Sequence, residues 1–139
     1  MSRFIYYMSM AKTNFDKNNT SNQLAMQYLG MALHYFADLN APHHVGNLVA
    51  GLSRHTQWEN YADANRTNYR IYNGSLYNYY GTSFYDYGQD AAYNGYRNIN
   101  YAESTETYFM NIAAENTYEY AQNSLAAIID AFFRSEGVY

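Results

Sequence analysis

Apolar residues recur at helical spacing in several stretches of the chain, separated by runs rich in Asn, Ser and Gly. In the first, Leu24, Met26, Tyr28, Leu29, Met31, Leu33 and Phe36 form a broad stripe that predicts a helix from about Asn22 to Leu39. The capping-rich run "NFDKNNTS" precedes it, and Asn40 and Pro42 end it, because the proline removes a donor and disfavours helical geometry at Ala41. A second helix is predicted from Ser53, a capping residue, with Trp58, Tyr61, Tyr69 and Tyr72 as its aromatics. Helical pattern resumes from about Gln89 to Asn98. It returns after Ser104, where Tyr108, Phe109, Ile112, Ala113, Tyr120, Leu125, Ile128, Ile129 and Phe132 predict one long helix, or two joined near Glu115 to Thr117. Gly137 is a natural stop for it.

Between these stretches, "NGSLYNYYGTSFYDY" (Asn73 to Tyr87) has the composition of a long surface loop. The opening Met1 to Met10 has a short apolar run and one charge but neither a long apolar core nor a small-residue cleavage signal, so no signal peptide is read in it. No apolar segment approaches the roughly 18 residues needed to span a bilayer. With no repeat of about 20 to 50 residues, the pattern predicts a single all-α domain over residues 1–139.

Charge narrows the partners. The net charge is −4 with only eight Lys and Arg, which removes the basic field a nucleic-acid binder or an anionic-membrane binder needs. No nucleic-acid partner is expected. Nineteen tyrosines and many Asn supply most of the polarity, and exposed phenols could serve a lipid interface or an assembly surface, although packing and loop filling account for Tyr77, Tyr79, Tyr80, Tyr85 and Tyr87 more simply. The absence of cysteine excludes disulfides and thiolate metal sites.

The chemistry is concentrated in "HYFADLNAPHH" (His34 to His44) and "RHTQWE" (Arg54 to Glu59). Each carries a His and an acid four positions apart, on one helix face about a turn apart: His34 with Asp38, and His55 with Glu59. Either pair alone reads as a surface hydrogen bond. Together with His44 they form an imidazole and carboxylate set of the kind that holds zinc and keeps a position open for water. The turn at Pro42 lets His44 swing back to join His55 and Glu59 around one ion, leaving His43 as an adjacent non-ligand.

The order H-Y-F-x-D-x-x-x-P-x-H followed by H-x-x-x-E resembles the zinc-dependent phospholipases C of bacteria, a family that includes clostridial alpha-toxin and, more distantly, the P1/S1 nucleases. The likeness is strong from about Gly30 to Tyr72 and continues weakly into "LAAIIDAFF". Glu59 and the short spacer "VGNLVAGLSR" favour the phospholipase branch, and Ala37 stands where a glycine is common. The resemblance implies a multi-helical phospholipase C/P1 nuclease-like bundle of which this chain is the C-terminal part, incomplete at the N-terminus.

That resemblance also implies up to three zinc ions. His34 and Asp38 would serve the first, Asp38 would bridge to the third, and His44, His55 and Glu59 would hold the second, the one complete triad. The family's upstream segment brings a terminal Trp, a His and an Asp for the third zinc, the remaining Asp and His of the first, and the acid that activates water. Met1 to Gln23 contains no His, and the only Trp is Trp58. No catalytic residue is therefore assigned. The function implied is a secreted phospholipase C acting on phosphatidylcholine-type lipids at a membrane surface, needing a missing N-terminal part for activity, with an N-terminal partner fragment or self-association as the possible partners. The rival is a non-catalytic, zinc-binding or self-assembling structural protein on the same fold.

Overall fold

A computed structural model describes residues 1–72 and 83–139. Seven α-helices occur in it: α1 (Ser2–Asn14), α2 (Gln23–Asn40), α3 (Pro42–Val45), α4 (His55–Asn65), α5 (Phe84–Arg97), α6 (Ile99–Ala102) and α7 (Thr107–Ser135). A 3-10 turn at Arg66–Tyr69 extends α4, and no strand occurs among the described residues. The expected all-α class is what the chain adopts.

Helices α1 and α2 form an antiparallel hairpin, with Phe4 near the start of α1 against Phe36 near the end of α2, ring centroids 5.1 Å apart. Asn22, the N-cap of α2, closes the connection: its Oδ1 accepts the Asp16 N–H, and its Nδ2 donates to the carbonyls of Asp16 and Asn19. The buried face of α2 is Ala25, Leu29, Ala32, Phe36 and Asn40, a stripe at spacings of three and four. It is narrower than the sequence stripe: Leu24 and Met31 lie on the solvent side. Phe4, Met8 and Ala11 repeat the same spacing on α1, an element the hydrophobic pattern left unassigned.

The long C-terminal helix is one element, with no break near Glu115 to Thr117. Its first half packs Met110, Ala113 and Ala114 against Trp58, Ala62 and Ala102, and its second half packs Ala127, Ile128 and Phe132 into the cluster that holds Phe4 and Phe36. Helix α7 thus joins the two cores. Gly137, at φ +68°, ends it: Val138 N–H donates to the Phe133 carbonyl and Gly137 N–H to that of Arg134, the paired bonds of a Schellman cap.

Tyr85 and Tyr87 correct the expected loop. Helix α5 begins at Phe84 behind Ser83, whose hydroxyl accepts the Asp86 N–H, and it carries Tyr87 into the core at 2 % exposure. Tyr77, Tyr79 and Tyr80, with the rest of 73–82, lie outside the described residues. Along α5, Gly95 permits a close approach: a Cβ there would stand 2.7 Å from the Leu39 carbonyl oxygen. That contact seats α5 against the end of α2, where the chain turns toward its histidines.

Candidate metal centre

Each candidate ligand has a local reason for its place. His34 and Asp38 lie on the face of α2 opposite Phe36, so burial of that ring turns them toward solvent. Ala41 is extended at φ −81°, ψ 120°, as a residue before proline must be, and Pro42 opens the short helix α3 at a position where its missing N–H costs nothing. The reversal carries His44 back over the end of α2. Helix α4 then starts at His55 rather than at Ser53; the Ser53 hydroxyl accepts the His55 N–H and donates to the Val49 carbonyl, folding the 49–53 turn under the helix.

The five residues form one continuous series of contacts. His34 Nε2 is 3.7 Å from Asp38 Oδ2, Asp38 Oδ1 is 3.3 Å from His44 Nδ1, His44 Nε2 is 3.3 Å from Glu59 Oε1, and that oxygen is 2.8 Å from His55 Nε2. His44, His55 and Glu59 each offer a ligand atom within 4.8 Å of the other two. His34 does not reach this group. Its side chain is 69 % exposed and touches the series only through Asp38.

The donor set fits a divalent cation. His55 Nδ1 lies 3.2 Å from the Leu48 carbonyl, which can only accept, so a singly protonated ring would carry its proton on Nδ1 and offer Nε2 to a metal. His44 has a carboxylate at each ring nitrogen, Asp38 at Nδ1 and Glu59 at Nε2, both 3.3 Å away, so with a metal at Nε2 Asp38 would hold the Nδ1 proton. Two imidazole lone pairs and a carboxylate oxygen then face one point, which is repulsive unless a cation or protons intervene. Zinc accepts this N, N, O set and retains a fourth position.

Sequence reading missed one acid near the centre. Glu103, just after α6, accepts the Nε2–H of His43 at 2.6 Å and the backbone N–H of Arg54 at 2.9 Å. His43 is 1 % exposed, and its ring lies parallel to that of His55, 8° between planes and 5.0 Å between centroids. Glu103 lies 60 positions from His43 in sequence, with no motif to mark it. Beside Glu59 an open, largely apolar cavity of about 380 Å³ is walled by Ala37, Ala41, Trp58, Ala62 and Ala121.

Burial pushes the His43 imidazole below its ordinary value of 6.5, and the bond to Glu103 opposes that only in part. The unfolded ring takes up a proton near pH 6.5 and the folded ring only below that, so in the intervening window the unfolded chain binds more protons. Stability contributed by neutral His43 is complete above pH 6.5 and is lost as pH falls through the folded value. In chelator, melting temperature is expected to fall from about pH 7 to pH 5, and to fall less in His43→Gln. Identical pH slopes for the two proteins would show that His43 is not responsible.

The comparisons point the same way as this donor set. A family model described as zinc dependent phospholipase C matches residues 3–134, a span that takes in all of α1 after Ser2. A phospholipase C of Clostridium novyi is 38% identical over 66 residues, 47% of this chain and 16% of that protein. One from Bacillus cereus is 36% identical over 69 residues, 47% of this chain and 23% of that protein, and one from Clostridium perfringens is 32% identical over 66 residues, 47% and 16%. The matched region is thus under a quarter of the length of each of these relatives. No solved structure matches the chain significantly.

Proposed function

We infer, since the chain belongs to the zinc-dependent phospholipase C family, that it is the zinc-holding part of a phosphodiesterase that cleaves phosphatidylcholine-type lipids to diacylglycerol and a phosphorylated head group. The observation that carries this reading is the convergence of His44 Nε2, His55 Nε2 and a Glu59 carboxylate oxygen within 4.8 Å, beside an open apolar cavity. Those three residues would hold one zinc. Bound there, the ion would supply Lewis acidity to phosphoryl oxygens and make water nucleophilic near neutral pH.

The chain's own groups do the rest. With a metal at Nε2 of each ring, Leu48 and Asp38 would hold the Nδ1 protons of His55 and His44, and the alanine and Trp58 wall beside Glu59 offers the lipid's apolar portion a surface. His34 and Asp38 would supply two ligands to a further ion, whose others would come from the segment that precedes this region in the family. With a net charge of −4, the protein suits a zwitterionic lipid surface better than an anionic one. No helix among the described residues is long and apolar enough to cross a membrane. The resemblance in its motifs implies a secreted enzyme.

The test is hydrolysis of phosphatidylcholine vesicles with zinc present, by the 139-residue chain alone and with an N-terminal fragment of a related phospholipase C. Activity near background is expected for the chain alone, because oxyanion stabilisation needs charge that a single three-ligand site does not supply. Activity should appear with the fragment, vanish with chelator and vanish in Asp38→Ala. Efficient hydrolysis by the chain alone would show that the ligand count is wrong. One observation favours the non-catalytic reading: His44, His55 and Glu59 are the only three-ligand group among the described residues. Stoichiometric zinc with no hydrolysis in any combination would establish it.

A further inference from the structure

We propose that Glu103 is a positioning residue of the metal centre, one carboxylate oxygen that locks the His44-bearing turn to the start of the His55-bearing helix. This rests on the reading of His44, His55 and Glu59 as ligands. Its two bonds fall on the residues that immediately precede two of them: His43 before His44, and Arg54 before His55. Both go to the same oxygen, Oε1, so the two elements share a single anchor although residues 46–54 separate them in the chain.

The surroundings leave that anchor little competition. His43 is buried, its Nδ1 has no partner among the described residues, and Glu103 is thus the one polar contact given to the ring. The ring in turn forms a wall for His55, parallel to it, and for Trp58, 5.7 Å away. Helix α6 delivers the carboxylate from a fixed base: Ala102 is fully buried, and Gly46 lets α3 approach so closely that a Cβ there would meet Ile99 Cδ1 at 2.9 Å. Losing the anchor frees the turn and the helix start to move apart, carrying His44 and His55 with them. A buried imidazole N–H and the Arg54 N–H would also lose their acceptor.

The experiment measures zinc affinity by competition with a chromophoric chelator, and records the cobalt(II) absorption spectrum, for wild type, Glu103→Ala, Glu103→Gln and Glu103→Asp. Wild type should bind one zinc. Glu103→Ala should weaken binding by about 10–100-fold, the usual cost of removing an outer partner of a metal site, and should dim the tetrahedral cobalt bands. Glu103→Gln should stay close to wild type, since its amide oxygen can accept both N–H groups. Glu103→Asp, a methylene shorter, should fall between them, and it carries the test if the alanine variant does not fold. Wild-type affinity with an unchanged cobalt spectrum in both the Ala and Asp variants would overturn the positioning role while leaving the metal centre standing. A wild-type chain that binds no zinc would overturn the metal reading itself.

Discussion

Glu59→Ala is expected to weaken zinc binding by about a hundredfold, on the reasoning that the roughly 10–16 kcal/mol of a four-ligand zinc site is about 3 kcal/mol per ligand. Both imidazoles converge on the oxygen this change deletes: Oε1 lies 2.8 Å from His55 Nε2 and 3.3 Å from His44 Nε2. Without it the two rings face each other across a gap, with no anionic partner for the ion. Competition against a chromophoric chelator gives the number. Asp63→Ala is the control, because Asp63 lies on the same helix but pairs with Arg66 and takes no part in the cluster. Wild-type affinity in Glu59→Ala would remove Glu59 from the ligand set, and the centre would lose its case.

Phe36→Ala acts on the support rather than the ligands, and is expected to cost about 3–5 kcal/mol of stability, from lost burial and the cavity left behind. Phe36 is fully buried against Phe4, on the helix face opposite His34 and Asp38. Against a typical total of about 5–15 kcal/mol this is a large fraction, and it should lower the melting temperature of the metal-free protein by roughly 10 °C or more. Zinc should restore part of the loss by mass action, because the folded state holds it more tightly than the unfolded chain does. Denaturant and thermal unfolding in chelator and in zinc measure both effects. A loss below about 1 kcal/mol would show that the hairpin packing tolerates a void there.

The parts of the molecule legible in sequence were those governed by short spacings. Two His and acid pairs at i, i+4, a proline that forces a reversal, and an apolar stripe on α2 are local properties. Small core residues were not legible. Ala25, Ala32, Ala91, Ala113 and Ala114 are fully buried, yet a methyl group contributes little to a hydrophobic pattern, so the pattern takes the α2 stripe through Leu24 and Met31, which lie on the solvent side. Composition places Tyr85 and Tyr87 in a loop, whereas the Ser83 cap and burial of Tyr87 make that stretch a helix. Helix α1 carried its signal in Phe4, Met8 and Ala11, a spacing easily hidden by the exposed tyrosine beside it, Tyr6. Glu103 leaves no mark in the sequence because its partners, His43 and Arg54, are brought to it only by the packing of α3 and the start of α4 beside α6.

The compactness of the ligand run in sequence has a consequence in time. All five groups lie between His34 and Glu59, so closing the centre needs only the loop between α3 and α4 to fold back, a small entropy cost compared with docking the far end of the chain. An early, loosely held encounter with an ion is thus available while the C-terminal half is still searching, and arrival of Glu103 would come later as the step that tightens it. In a refolding experiment the metal signal should therefore rise in two phases, the faster one independent of α7.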